Sequence, residues 1–284
     1  MASSGRKRGA ALSVNTPFGQ RQFSLSSRVP LLKSARSLIL GLHGGSGDAK
    51  RFAQRSGLAE ASHELGHNIA FPQALSHWAD GRPPLEKGWE ADLSLVRSMM
   101  QVQAKKNGNV HMPTAIVGGS NGGMFAYRLA CELPLGAVVG VASAMPVAFA
   151  NNAKPGPPVP AMIVQATNDR FIPWDGGQVA LAPHLGIAGE LLSADAVIDF
   201  WLKRNKCSGP PKRRNATLSS FGVEIFAWDG GANGADLWRV VLRGAGHKLL
   251  DRAPGAKLKG SLEELIARFV IYHIDRQTFA TARH

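Results

Sequence analysis

The segment Gly118–Gly123 carries the residues of this chain whose types and spacing suit covalent chemistry. It reads Gly-Gly-Ser-Asn-Gly-Gly and lies between an apolar run at 114–117 and a helix-like segment at 124–132. In such a strand–turn–helix setting, the pattern G-x-S-x-G holds its serine on a sharp, strained turn with the hydroxyl projecting from the sheet. The two glycines remove side chains that would collide with the neighbouring strand and helix. The pattern therefore predicts that Ser120 is a nucleophile.

An ordinary glycine turn is the alternative, because glycine accounts for 32 of the 284 residues. A serine hydroxyl is a poor nucleophile at neutral pH unless a base accepts its proton and a carboxylate orients that base. On an elbow of this kind the partners follow the serine in the order Asp or Glu, then His. The hypothesis therefore requires an acid and a base after residue 120, each just beyond a strand.

Asp169 is the predicted acid. It follows the apolar strand 161–165 after a short Ala-Thr-Asn connection, although aspartate is also common in plain turns. Asp175 lies deeper in a glycine loop, and Asp236 precedes its strand, which puts it at the wrong end of the sheet. Both remain alternatives to Asp169.

His247 is the predicted base. It follows a strand ending near Leu242 through Arg-Gly-Ala-Gly, whose small residues let the loop carry an imidazole over the serine. The other histidines after the elbow are His184 in a loop, His273 within the final helical segment and His284 at the terminus. Only His247 combines the required order with a loop beyond a strand.

Two backbone N–H groups must stabilise the negative oxygen that forms when the serine attacks a carbonyl. One predicted donor is Asn121, directly after the serine, and this role needs no particular side chain. The other is Gly45 in the His-Gly-Gly-Ser loop at 43–46, which follows the buried strand 37–42. A phosphate cradle is the alternative for this loop, but the G-K-[ST] signature is absent from it.

Apolar strands alternate with helical segments along the chain, which predicts an α/β protein with a mostly parallel sheet and helices on both faces. Active sites of such sheets lie at the carboxyl ends of the strands. We expect one domain over residues 1–284, with residues 1–10 as a disordered basic segment. The predicted elements are an antiparallel hairpin (11–14 and 22–25), strands at 37–42, 68–72, 114–117, 137–141, 161–165, 221–228 and 237–242, and helices at 52–65, 90–103, 124–132, 191–204 and 261–274, the last with a capping box of Ser261 and Glu264.

The formal net charge of +13 permits acidic partners. We nevertheless expect no nucleic-acid partner, because no zinc-finger spacing or RNP-like aromatic pattern accompanies the basic residues. A solvated basic face is the favoured interpretation of these residues, and attraction to an anionic polymer or its carboxylate products is a further alternative. The densest basic cluster, which we expect to be a helix end running into a loop, is Lys203, Arg204, Lys206, Lys212, Arg213 and Arg214.

Cys131 and Cys207 are the only cysteines, too few for a zinc site without a histidine cluster, so we expect no metal. We expect free thiols if the protein is cytoplasmic, with one disulfide between the two as the alternative. We also expect no membrane span, because Pro134, Gly136 and Pro146 interrupt the most apolar stretch. The first residues contain no apolar segment typical of an export signal, which favours the cytoplasm as the default location. Composition predicts no oligomeric state.

The elbow Gly119–Met124, with the following Ala-Tyr-Arg-Leu-Ala-Cys-Glu at 126–132, resembles that of the polyhydroxybutyrate depolymerase-like and feruloyl esterase-like proteins. Further similar blocks, covering about residues 35 to 275, are Leu42–Gly45, Asn168–Gly177, Trp201–Cys207 and Gly244–His247. The resemblance implies one α/β-hydrolase domain, ester hydrolysis without a cofactor, and Ser120, Asp169 and His247 as the triad. Family members are often secreted, so the resemblance also admits secretion. Lys248-Leu249 replaces the Trp-Pro pair common after the family histidine, which changes one wall of the site.

Pattern and resemblance together predict a serine carboxylic-ester hydrolase acting on polyhydroxyalkanoate-type, feruloyl-type or other short-acyl esters, either small or polymeric. Trp174, near the predicted acid, and His43 are the expected substrate contacts, with Trp78 and Trp89 as weaker candidates. The alternatives are a serine peptidase of the same fold and a non-catalytic basic binding protein built on this scaffold.

Overall fold

The structure is a computed structural model that describes residues 12–30, 32, 37–106, 113–154, 156–182, 187–214, 218, 222–252 and 256–281. The expected disordered segment 1–10 and the alternative bases His184 and His284 lie outside these residues. The single-domain organisation stays a prediction.

Ten strands form one sheet, in the order β1-β2-β4-β3-β5-β6-β7-β12-β11-β10, and a separate pair, β8 and β9, forms a second. The strands of the large sheet are β1 (Leu12–Thr16), β2 (Gly19–Ser24), β3 (Leu38–Leu42), β4 (Ile69–Pro72), β5 (Thr114–Gly119), β6 (Ala137–Val141), β7 (Ala161–Ala166), β10 (Lys212–Arg214), β11 (Gly222–Trp228) and β12 (Leu237–Arg243). The six central strands, β4 to β12 in that order, run parallel. Two antiparallel strands extend each edge.

Helices cover both faces of the sheet, because alternate residues of the central strands are apolar and buried on opposite sides. In β3, Leu38 and Leu40 belong to the core on one face of the sheet, and Ile39 belongs to the core on the other. The first core includes residues of the third, fourth and sixth helices, and the second includes residues of the first, second and seventh. The helices are α1 (Ala49–Arg55), α2 (Leu58–Glu64), α3 (Trp89–Lys106), α4 (Asn121–Glu132), α5 (Val147–Ala150), α6 (Ala194–Asn205) and α7 (Leu262–Thr281). The predicted fold class and the N-terminal hairpin are confirmed.

Two of the predicted helices differ in the structure. The segment predicted as one helix at 52–65 is two helices, because Gly57 has a φ of +72°, a left-handed conformation that ends α1. The helix predicted from 191 begins at Ala194, where the Ser193 hydroxyl accepts the Ala196 N–H at 3.2 Å. Leu191 instead ends β9 (Ile187–Leu191), which pairs with β8 (Gly177–Ala182) in an antiparallel hairpin that the sequence did not predict.

The residues of the basic cluster at 203–214 differ in burial and in secondary structure. Arg204 is buried and donates to the carbonyl oxygens of Ala130 and Pro157, so it joins α6 to the end of α4. Lys212–Arg214 form the exposed edge strand β10 rather than a loop. The capping box at α7 is also modified: the Ser261 hydroxyl accepts the Glu264 N–H, but the Glu264 carboxylate accepts from Gly260 instead of Ser261.

A buried ion pair joins the N-terminal hairpin to α3. The Arg21 guanidinium donates to Asp92 Oδ1 at 3.0 Å, and both side chains are about 95% buried. The other carboxylate oxygen, Oδ2, accepts the Ala79 N–H at 3.0 Å. Burial raises the pKa of Asp92, although Arg21 opposes this shift. The pair therefore holds β2, α3 and the chain near Ala79 together.

Replacing Arg21→Met should lower the free energy of unfolding by about 3–5 kcal/mol at pH 8, because it leaves a buried carboxylate without its partner. The raised pKa means that the folded state binds the proton more readily than the unfolded state, so the deficit should shrink as the pH falls to 5. Urea denaturation at the two pH values measures both effects. The matched control Arg268→Met removes an exposed pair and should cost about 1 kcal/mol or less. An equal deficit in both variants at pH 8 would contradict the buried-pair interpretation.

Candidate active site

Ser120 lies on a strained turn between β5 and α4. Its φ of 53° and ψ of −123° fall in a region that residues with a side chain rarely occupy. A Cβ on Gly118 would lie 2.2 Å from the Gly122 carbonyl oxygen, and a Cβ on Gly122 would lie 2.4 Å from the carbonyl oxygens of Leu42 and His43. Gly118 is therefore required for the turn to close on itself, and Gly122 is required for it to pack against the end of β3.

The structure brings the three side chains of the predicted triad together. His247 Nε2 lies 2.9 Å from Ser120 Oγ, and His247 Nδ1 lies 2.7 Å from Asp169 Oδ2. The three residues are far apart in the chain, and each lies beyond the carboxyl end of a parallel strand, β5, β7 or β12. Because these ends share one edge of the sheet, the loops converge there.

Backbone groups fix the Asp169 carboxylate. Its Oδ1 accepts the N–H groups of Phe171 at 2.8 Å and Ile172 at 2.9 Å, which leaves Oδ2 for the imidazole. Of the alternatives, Asp175 is exposed, whereas Asp236 accepts the Gly230 N–H at the amino end of β12. His273 lies on α7 with its Nε2 3.7 Å from Asp236, and burial lowers its pKa to about 4. None of these described alternatives forms the hydrogen bonds by which Asp169 and His247 are linked to each other and to Ser120.

His43 supports the loop after β3 rather than facing solvent, since only 1% of the residue is exposed. Its Nε2 accepts the Ala74 N–H at 3.1 Å, so Nδ1 must carry the proton that it shares with the Gly44 carbonyl at 2.8 Å. Burial lowers the pKa of His43, which keeps the ring neutral in this arrangement. Both ring nitrogens are engaged within the protein, so this geometry disagrees with the expectation that His43 contacts substrate.

The glycines of the same loop lie close to the elbow. A Cβ on Gly44 would approach Ser120 Cβ at 3.5 Å, and a Cβ on Gly45 would approach Asn121 Cβ at 3.7 Å. Gly45 is exposed and also packs against the His77 ring. The loop predicted to supply one oxyanion donor therefore lies beside the helix predicted to supply the other, and the roles of the Asn121 and Gly45 amides stay predictions.

The Asn121 side chain is engaged more extensively than the sequence suggested. Its amide exchanges two hydrogen bonds with the Trp78 backbone, accepting at 2.8 Å and donating at 3.0 Å, and it also donates to Asp80 at 2.6 Å. The Asn121 N–H itself belongs to the first turn of α4, where backbone N–H groups lack intrahelical acceptors. Sequence reasoning missed Asp80, because nothing in its local pattern marks it as a partner of the elbow.

The aromatic side chains considered as substrate contacts differ in their exposure and in their distance from the triad. Phe171, which the sequence analysis did not single out, is 52% exposed and packs on the His247 ring with 5.0 Å between centroids. Trp174 is half-buried behind Asp169, and the Arg239 guanidinium lies 5.1 Å from its ring centroid. Trp78 is fully buried, so its ring has no face open to a substrate. The half-buried Trp89 ring packs against Arg128 and Phe125, as a core residue would.

Other chemistries find less support in the described residues. No group of three or more His, Cys, Asp or Glu side chains in this part of the chain is arranged to hold a metal ion. Both cysteines are unpaired thiols. None of the described helices combines the length and apolar character needed to cross a bilayer.

Solved structures with the same architecture define the class of the fold. The chain is similar to an acetyl xylan esterase from Aspergillus awamori (TM-score 0.57, 15% identity, 84% of this chain and 94% of that one). It is also similar to TT1662 from Thermus thermophilus (TM-score 0.55, 13% identity, 94% of this chain and 99% of that one). A third similar structure is a dienelactone hydrolase from Anabaena variabilis (TM-score 0.51, 15% identity, 93% of this chain and 96% of that one). The chain therefore has the α/β-hydrolase fold.

Sequence similarity points to the same class. The chain is 29% identical over 215 residues to a protein named "Putative esterase NocK" from Nocardia uniformis subsp. tsuyamanensis. The match covers 73% of this chain and 56% of that protein, so the chain spans little more than half the length of this relative. No family model matches the chain. The finer resemblance to polyhydroxybutyrate depolymerase-like and feruloyl esterase-like proteins stays a prediction.

Replacing Gly122→Ala should destabilise the elbow strongly, because the new methyl group meets two backbone carbonyl oxygens that have little room to move. The matched control is Gly119→Ala, whose Cβ would meet only a Leu250 methyl at 3.8 Å. We expect Gly122→Ala to cost about 2 kcal/mol or more and the control less than about 1 kcal/mol. Urea denaturation of both variants measures the difference, and equal costs would contradict the packing described here.

Proposed function

We propose that this protein is a serine carboxylic-ester hydrolase that forms an acyl-enzyme on Ser120. The observation that carries the proposal is the continuous contact from Ser120 Oγ through His247 to Asp169. This arrangement gives the hydroxyl a base and gives the base an orienting carboxylate.

In the first half-reaction, Ser120 Oγ attacks the ester carbonyl carbon while His247 Nε2 takes the hydroxyl proton. Asp169 holds the proton on Nδ1 and stabilises the imidazolium that results. The tetrahedral intermediate collapses by breaking the bond to the alcohol oxygen, which receives the proton from Nε2. In the second half-reaction, His247 removes a proton from water as the water oxygen attacks the acyl carbonyl carbon. The tetrahedral intermediate then breaks its bond to Ser120 Oγ, which takes the proton back from Nε2 as the acid is released.

The developing negative oxygen requires N–H donors already aimed at it. We assign these to the backbone amides of Asn121 and Gly45, which belong to the first turn of α4 and the loop after β3. Their adjacency is supported by the 3.7 Å approach between a Gly45 Cβ position and Asn121 Cβ. The scheme calls on no cofactor, because Ser120 supplies the nucleophile, His247 the base and the backbone amides the oxyanion donors.

An ester is the favoured substrate because the names of the similar proteins include two esterases and a dienelactone hydrolase. Polyhydroxyalkanoate-type, feruloyl-type and other short-acyl esters, small or polymeric, remain the candidate classes. The exposed ring of Phe171 beside His247 favours an apolar or aromatic group at the entrance, with Trp174 as a second wall. A serine peptidase would use the same residues, and a panel of peptide and ester substrates distinguishes the two.

Replacing Ser120→Ala should lower kcat for p-nitrophenyl acetate and butyrate by about 10⁴-fold or more, since it removes the nucleophile. His247→Ala should cost a similar factor, and neither change should alter the folded state measured by circular dichroism. The matched control Ser26→Ala changes a loop serine far from residue 120 in the chain and should leave kcat unchanged.

Equal rates in wild type and Ser120→Ala would overturn the proposal. A fluorophosphonate probe tests the rival binding protein directly, because it labels only an activated serine. Absence of labelling in the wild type, together with salt-sensitive binding to a polyanion, would favour that rival.

Treatment with iodoacetamide at pH 7.5 should leave the esterase activity intact. Burial raises the pKa of Cys131, and it raises the pKa of Cys207 to about 11, so neither thiol supplies much of the reactive thiolate. Activity before and after alkylation, with mass spectrometry to count modified cysteines, measures this. Rapid inactivation that Cys207→Ser abolishes would point to a thiol in the mechanism instead.

A further inference from the structure

We propose that the segment Ala74–Arg82 acts as a spacer that fixes the distance between the two oxyanion amides, with the Asn121 side chain as its connection to α4. The inference rests on the proposed function, because it concerns how that site is positioned. It assigns positioning roles to Asn121, Trp78, Asp80 and Arg82 in addition to the triad.

The two amides belong to separate elements, which meet directly where Gly122 lies against the end of β3. Further contacts with the segment 74–82 restrain both elements as well. Gly45 lies in the loop after β3, and Asn121 begins α4. Electrostatic stabilisation of an oxyanion is sensitive to this geometry, and a displacement of about 1 Å in a catalytic site costs about 10²-fold in rate. A rigid part that contacts both elements is therefore expected to affect kcat.

The segment is attached to the loop after β3 through His43. The Trp78 indole N–H donates to the His43 carbonyl oxygen at 2.9 Å, and the Ala74 N–H donates to the His43 ring at 3.1 Å. The Trp78 ring also stacks on Phe125 of α4, with 5.1 Å between centroids. These contacts restrain the residue that directly precedes Gly44 and Gly45.

The same segment is attached to α4 through Asn121. The side-chain amide of Asn121 pairs with both the N–H and the carbonyl of Trp78, as a neighbouring strand would. Trp78 therefore contacts the loop with its indole and α4 with its backbone. Residue 78 is fully buried, so water does not compete for these hydrogen bonds.

Asp80 and Arg82 hold the Asn121 amide in this orientation. Asp80 accepts the Asn121 Nδ2 group at 2.6 Å and two guanidinium contacts from Arg82 at 2.5 and 3.0 Å on the same carboxylate oxygen. All three side chains are at least 99% buried. The cost of desolvating this ion pair is offset only while its geometry is kept, which makes the network rigid.

A purely structural role would predict only a loss of stability, and the chain offers a matched comparison. Asn205 makes the same paired contact with a buried backbone residue, accepting the Val159 N–H at 3.1 Å and donating to the Val159 carbonyl at 2.8 Å. It is also fully buried, but it lies near the amino end of β7, at the sheet edge opposite the triad. Asn205→Ala therefore reproduces the structural loss without touching the site.

The experiment compares Asn121→Ala and Asn205→Ala for ester turnover and for inhibition by phenylboronic acid, whose tetrahedral serine adduct places an oxygen in the oxyanion site. For Asn121→Ala we expect kcat per folded protein to fall about 10²-fold, with KM changed by less than about threefold. Affinity for the boronic acid should fall in parallel with kcat. Asn205→Ala should lower thermal stability but leave both quantities within about threefold of the wild type.

Trp78→Phe keeps an aromatic ring that can stack on Phe125 and removes the indole N–H together with part of the bicyclic ring. It tests the inference independently if Asn121→Ala fails to fold. It should lower kcat and boronic acid affinity together by about tenfold at constant KM. Equal kcat values in Asn121→Ala and Asn205→Ala, or an unchanged kcat in Trp78→Phe, would overturn the inference while Ser120-dependent turnover left the proposed function standing. Absence of Ser120-dependent turnover in the wild type would overturn both.

Discussion

The close approach of the first turn of α4 to the carboxyl end of β3 is the constraint on which the rest of this structure depends. With no side chain at Gly122, the helix lies against the carbonyl groups of Leu42 and His43. The chain can reach that position from β5 only through the positive φ of Ser120. The same contact exposes the serine hydroxyl above the sheet, and it brings the glycine loop after β3 beside the helix.

Buried polar groups cluster around this approach. His43, Asp80, Arg82 and Asn121 are all almost completely buried, and each forms hydrogen bonds with a neighbouring element. Polar groups in an interior are costly unless they are paired, so such a network tolerates few alternative arrangements. It gives the proposed site a stiffness that apolar packing alone would not provide.

The loop that carries His247 is attached at residues 251 and 252 to the end of α1. The Arg252 N–H donates to the Arg55 carbonyl at 2.8 Å, and the Arg55 side chain pairs with Asp251. Lys248-Leu249, where the resemblance leads one to expect Trp-Pro, precedes this anchor, and Leu250 contacts the position of Gly119. The wall beside the elbow is therefore aliphatic, whereas Phe171 supplies an aromatic surface next to His247.

The sequence by itself determined the parallel sheet, most of its elements and the positions of Ser120, Asp169 and His247, because alternating burial, glycine spacing and chain order are local or ordered properties. Tertiary structure decided what depends on contacts between distant segments. It buried His43, broke the helix at Gly57, paired β8 with β9, and joined Asn121 to Asp80 and Arg82. A hydrogen bond between residues forty positions apart leaves no periodic trace in a single sequence, so only the folded chain reveals that the residue after the serine also forms hydrogen bonds through its side chain.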